Sequence, residues 1–298
     1  MTPPWNEHRF EAGPHLPSPS DVAALARYDA RGAIGFRGAD ARLSTLRQQS
    51  PIRFLQPVPE TGDPTTAVIV NTAGGVVGGD HLSLDLSVQD AASALITGQA
   101  AEKIYRSDGR DAEITASITC QTGARLEVLP QGTILFDGAR LRRSTKLDVD
   151  PVSTLLFGEI LYFGRVAMGE TLRHGSIDDR IDLRQQGRRI WVDAFRLDGT
   201  LGQALQSRSG LHGAVASAMA CLVCPGAGDH LADVRRILSR VKADGYQAAA
   251  AAFEGGPLTV RWLGTDGASL RRSFGAVWMT LRSAALGYPA RMPKIWSI

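Results

Sequence analysis

Two carboxylates stand where carboxylates are costly. Residues 155–163 read LLFGEILYF, and Glu159 is the single charged residue among apolar side chains and one glycine. On the two-residue period of a strand, Glu159 projects with Phe157, Leu161 and Phe163. In residues 189–197, Asp193 shares a face with Trp191, Phe195 and Leu197 in the same way. A buried carboxylate costs several kcal/mol unless it is paired, protonated or bound to a cation. Glu159 and Asp193 are therefore candidate metal ligands. Asp80 is a third, at the exit of the glycine-rich loop NTAGGVVGGDH, where a turn role competes with a site role.

The familiar catalytic patterns are missing. The loop glycines lack the Lys and the following helix of a phosphate-binding loop, and their order is not that of a dinucleotide fingerprint. Paired glycines there fit a close backbone approach at a sheet corner. No G-x-S-x-G elbow, H-E-x-x-H pair or kinase signature occurs. The six histidines (His8, His15, His81, His174, His212, His230) stand isolated. Cys221 and Cys224 form a C-x-x-C with no second pair. Cys120 and His230 would have to complete a zinc site, so small buried thiols in a reducing, cytoplasmic compartment are expected instead. From the residues alone, a protein that binds or conducts a cation is favoured over a catalyst.

Those carboxylates must be positioned by sheets. Short apolar runs broken by Gly and Pro recur through residues 22–200, about a dozen strand signals in all. They include 33–36, 42–46, an edge-like strand at 52–55, 67–70, 82–88 and 94–97. The signals continue at 103–106, 112–120, the runs about 126, 128 and 134–136, then 155–163, 178–184 and 189–197. The expected fold is mainly β, a stacked-sheet or β-helix-like single large domain with two C-terminal helices, near 229–243 and 268–286. Asp229 is expected to cap the first helix. Leu270, Phe274, Val277, Trp278, Leu281 and Ala285 form the apolar stripe of the second, which Gly287 and Pro289 stop. A strand is expected at 258–263, and the Ala-rich segment 210–223 is ambiguous. Residues 1–21, rich in Pro, His and Ser, read as a disordered tail ahead of a domain at 22–298.

Composition fits a globular chain. It has 298 residues, 44% hydrophobic and 21% charged, with a net charge of +3. Arg140, Arg142 and Arg143 form the densest basic cluster and read as a solvated strand face, so no nucleic-acid partner is expected. No apolar run approaches the roughly 18 residues of a membrane helix, so no membrane partner is expected either.

Five motifs occur in order: GGVVGGD at 74–80, EKIYRS at 102–107, GARLEVLPQGTILFDGA at 123–139, FGRVAMGE at 163–170 and PKIW at 293–296. Together they resemble the UreD (UreH) family of urease accessory proteins. The match runs from about Arg31 to the C-terminus. It departs from the family at Val128, where Trp is usual, and at Gly132, where an acid is frequent. The resemblance implies a β stack with two helices and a chaperone without catalytic activity. It also implies a complex with UreF and the GTPase UreG that docks on urease apoprotein for GTP-dependent nickel insertion. It further implies that no cofactor is held tightly, that nickel passes transiently and that GTP is used by UreG. In that picture Glu159, Asp193 and Asp80 would line a nickel passage, since a weak, oxygen-rich path lets the ion move on.

Two other readings compete. Glu159 and Asp193 could be the acid and base of a β-solenoid carbohydrate-active enzyme. Alternatively the chain is a pure interaction scaffold, its two acids paired with buried arginines such as Arg165 or Arg196. The apolar C-terminal residues are expected to pack onto the domain or a partner.

Overall fold

The computed structural model describes residues 27–297; the expected N-terminal tail lies outside them. Among the described residues, seventeen strands form two large sheets. The first carries β1 (Asp29–Arg37), β2 (Arg42–Gln48), β5 (His81–Gln89) and β8 (Ala112–Cys120). It is completed by β11 (Arg140–Val149), β13 (Gly175–Gln185) and β14 (Arg188–Gly199). The second carries β3 (Ile52–Leu55), β4 (Thr65–Asn71), β6 (Ser93–Gly98), β9 (Arg125–Leu129) and β12 (Thr154–Phe163). It continues through β15 (Ala216–Val223), β17 (Leu258–Gly264) and β16 (Tyr246–Ala252). Two short strands lie off this path: β10 (Thr133–Leu135) pairs with β12, and β7 (Glu102–Ile104) pairs with β10.

From β4 to β13, setting aside those two short strands, the chain alternates between the sheets, and within each sheet these strands pair in parallel. That is a β-helix-like stack, closed by antiparallel strands: β14 on the first sheet, then β15, β17 and β16 on the second. Residues 210–223, ambiguous by composition, thus contain β15, held between β12 and β17.

The second sheet is covered on both faces, which explains the nearly unbroken apolar run in β12. Leu155, Phe157 and Leu161 join the core between the sheets. Leu156 and Ile160 face the other way, against the helix Gly267–Leu286, with Leu270, Phe274, Val277, Trp278 and Leu281. Gly158 lies under that helix, and a Cβ there would come within 2.7 Å of Phe274 and 2.8 Å of Trp278.

Three α-helices occur among the described residues: α1 (Leu201–Gln206), α2 (Leu231–Arg240) and α3 (Gly267–Leu286). Asp266 caps α3, accepting from the backbone N–H groups of Ala268 and Ser269 at 3.0 and 3.3 Å. Gly287 ends it in the left-handed conformation, φ 75°. The expected cap of α2 is not made by Asp229, which sits inside a 3-10 turn, Ala227–His230, that leads into the helix; no side chain caps α2. None of the helices is long and apolar enough to cross a membrane.

The C-terminal segment packs onto the domain. Trp296 is buried against Phe274, ring centroids 5.9 Å apart, and donates to the Pro130 carbonyl at 3.3 Å. The Arg271 guanidinium lies over its ring at 3.5 Å.

Candidate functional site

The gap between the sheets is not filled throughout. One cavity of about 290 Å³ lies among β4, β6, β9 and β12 on one side and β5, β8 and β11 on the other. Its walls mix Ile, Leu, Val, Phe, Ala and Gly with polar groups that include Glu102, Lys103, Gln131, Thr133, Arg143 and Glu159. A second cavity of about 380 Å³ continues where β13 and β14 face β15, β17 and β16. Glu159, Asp179, Asp193 and Arg261 line it, together with apolar groups such as Leu161 and Phe195. Glu159 belongs to both cavities.

The sheet register places these groups. Arg143 on β11 pairs directly with Asp179 on β13, and Ile181, two residues on, pairs with Asp193 on β14. Arg143 donates to Asp179 from Nε at 2.9 Å and from Nη2 at 2.5 Å. Its Nη2 also contacts the Glu159 carboxylate across the gap, and its Nη1 donates to Thr133 Oγ1 at 3.2 Å. Asp193 is held by Arg261 of the opposite sheet, Nη2 to Oδ1 2.5 Å.

Burial dominates the charge balance here. It pushes the Glu159 carboxyl up; the Arg143 charge pulls it down by less, and Asp179 and Asp193 add to the rise. Burial works against the Arg143 guanidinium as well, but Asp179 and Glu159 outweigh it and hold that group above its ordinary range.

Several sequence expectations need correcting. Arg143 is not on a solvated face: its side chain is 12% exposed, whereas Arg142 is 58% exposed and bonds Glu113. The basic partners of Glu159 and Asp193 are Arg143 and Arg261. Arg165 instead binds Glu170 at 2.9 Å, and Arg196 is exposed. Asp80 lines neither cavity. It is buried in the loop before β5, where its two oxygens accept the backbone N–H groups of Tyr28 and Val77 at 3.0 and 2.9 Å. The glycines beside it do serve close approach: a Cβ on Gly78 would meet the Arg110 carbonyl at 2.5 Å.

Asp179 escaped the sequence reading, although it shares a strand face with Ile177, Ile181 and Leu183, the pattern that singled out Glu159. A second charged cluster was also missed. Arg282 on α3 donates from Nε to both oxygens of Glu127 on β9, at 2.9 and 3.0 Å, and from Nη2 to Asp63 at 3.0 Å. Trp278 adds a bond to Glu127 at 3.1 Å. Cys120 and Cys221 are buried free thiols and Cys224 is half-buried; burial pushes the Cys120 thiol up to about 12 and that of Cys224 to about 11. Among the described residues, no group of three or more His, Cys, Asp or Glu is arranged to hold a metal ion.

The comparison with known families is decisive. The model of the UreD urease accessory protein matches residues 28–297. The chain belongs to the UreD family. A urease accessory protein UreD of Magnetococcus marinus is 40% identical over 263 residues, 88% of this chain and 91% of its own. One from Azorhizobium caulinodans is 36% identical over 87% of this chain and 91% of its own. UreD 1 of Brucella melitensis biotype 1 is 35% identical over 92% and 96%. Family membership assigns the UreD-like chain to urease maturation.

Proposed function

We propose that this UreD-family protein is a non-catalytic chaperone that offers nickel(II) a passage between its sheets. It acts in the cytoplasm, in a complex with UreF and UreG that docks on urease apoprotein, with UreG consuming the GTP. The maturation role is carried by the accessory-protein names of the family and its relatives. The passage reading rests on one observation: Glu159 faces both cavities, and Asp179 and Asp193 continue the line of carboxylates through the second. Carboxylate oxygens and water suit nickel(II), and carboxylates spaced along a gap bind it weakly enough to release it.

A scaffold reading also has support, because Arg143 and Arg261 neutralise the acids without any metal. Co-expression with urease and its other maturation proteins separates the two. Under the passage reading, Asp193→Asn leaves the complex assembled while urease activity falls. Under the scaffold reading, activity stays at the wild-type level whenever the complex forms.

A further inference from the structure

Arg143 stands in the wall between the two cavities. With Glu159 it lines the 290 Å³ cavity, and Glu159 with Asp179 lines the 380 Å³ cavity. Its guanidinium is wedged between the two acids, donating to Asp179 from Nε and Nη2 and touching Glu159 through Nη2. A cation travelling through the gap meets a fixed positive charge at the acids that would otherwise receive it. We infer that Arg143 is a retractable plug, and that a divalent cation crosses from one cavity to the other by taking the place of the guanidinium between Glu159 and Asp179.

The inference rests on the passage reading above and adds its selectivity. A guanidinium brings one positive charge and several directed, charge-assisted bonds to two carboxylates. A monovalent ion brings the same charge without those bonds and cannot displace it. A divalent ion neutralises both acids at once, and Coulomb attraction in a water-poor site favours that exchange. The released side chain has somewhere to go. The 290 Å³ cavity already contacts it; Thr133 Oγ1, its present partner, and Glu102 accept there, while the Gln131 Oε1 is taken by Arg271 at 2.9 Å and Lys103 lines the same wall. Glu102 has one oxygen engaged by Asn71 at 3.0 Å and by the Lys103 N–H at 3.2 Å, which leaves its other oxygen for an incoming donor.

The test uses the full-length wild-type protein with Zn²⁺ as a diamagnetic probe. The Nε–H signal of Arg143 is followed by nitrogen-15 NMR and assigned by its loss in Arg143→Lys. Zn²⁺ is expected to shift this signal and speed its exchange with water, while Na⁺ at the same concentration leaves it in place. Glu159→Gln should require about tenfold more Zn²⁺ for the same shift, the loss of one charge-assisted ligand. Asp80→Asn, remote from the wall, should require no more than wild type. An Arg143 signal that ignores Zn²⁺, or that moves equally with Na⁺, overturns the plug. Failure of the passage reading looks different: Zn²⁺ moves Arg143, yet Glu159→Gln and Asp193→Asn leave the nickel content of urease unchanged.

Discussion

Asp193 and Arg261 join the two sheets at the rim of the larger cavity, Oδ1 to Nη2 2.5 Å, with the acid 14% and the arginine 55% exposed. A half-exposed ion pair of this kind contributes little, about 0–1 kcal/mol, because water screens it and both side chains lose freedom. Asp193→Asn is therefore expected to shift the midpoint of urea unfolding only slightly. A large loss of stability would mean that this pair holds the sheets together.

The Glu127–Arg282 pair should behave oppositely. Both side chains are fully buried, and Arg282 also binds Asp63 and the carbonyls of Pro289 and Arg291. Arg282→Met strands Glu127 in the core and leaves Asp63 with Arg291 alone, 3.3 Å away, so a cost of roughly 3–5 kcal/mol is expected. Chemical denaturation measures it directly, and a cost under about 1 kcal/mol, the range of an exposed pair, would contradict the burial argument.

Glu159 predicts a pH dependence with a definite sign. Its carboxyl ordinarily titrates at 4.5 and is raised by burial, so above 4.5 the folded state binds more protons than the unfolded state. Its contribution is fully present below 4.5 and is lost as pH rises through the raised value of the folded state. Glu127 is raised to about 7, also by burial, and adds a fall in the same window. Glu159→Gln should flatten the decline and leave the Glu127 part. Equal slopes for wild type and Glu159→Gln would show that Glu159 titrates normally.

Gly158 sets how closely α3 approaches β12. Gly158→Ala drives a methyl group into Phe274 and Trp278, and overpacking of this kind costs about 1–3 kcal/mol. Thermal unfolding should show a lowered midpoint; an unchanged midpoint would mean that the helix yields freely.

Much of this architecture is legible in the sequence. The alternating runs gave the strands, and the stripe from Leu270 to Leu281 gave α3, because periodicity reports directly which face is buried. Glu159 and Asp193 stood out because an acid on an apolar face breaks that periodicity. Their partners were harder to find. Arg143 looked like part of a basic surface cluster, since a sequence does not tell which of Arg140, Arg142 and Arg143 turns inward until the strand register is known. Asp179 carried the same signal as Glu159 but sat among the charged residues of β13. Asp63, Glu127 and Arg282 lie far apart in the chain, and only the packing of α3 on the second sheet brings them together. Asp80 looked like a site residue for the opposite reason: a buried acid satisfied by backbone N–H groups and one that faces a cavity read alike in sequence.

Whether the inter-sheet carboxylates carry nickel decides between a passage and a scaffold. The most direct measurement is the nickel content of purified urease, by elemental mass spectrometry, after maturation with wild-type protein, Glu159→Gln, Asp193→Asn or the double variant. Circular dichroism and co-purification of the accessory complex serve as folding controls. Each single variant should lower nickel per urease active site in part, and the double variant more strongly, while the complex still forms. Full nickel loading by a folded, complex-forming double variant would contradict the passage.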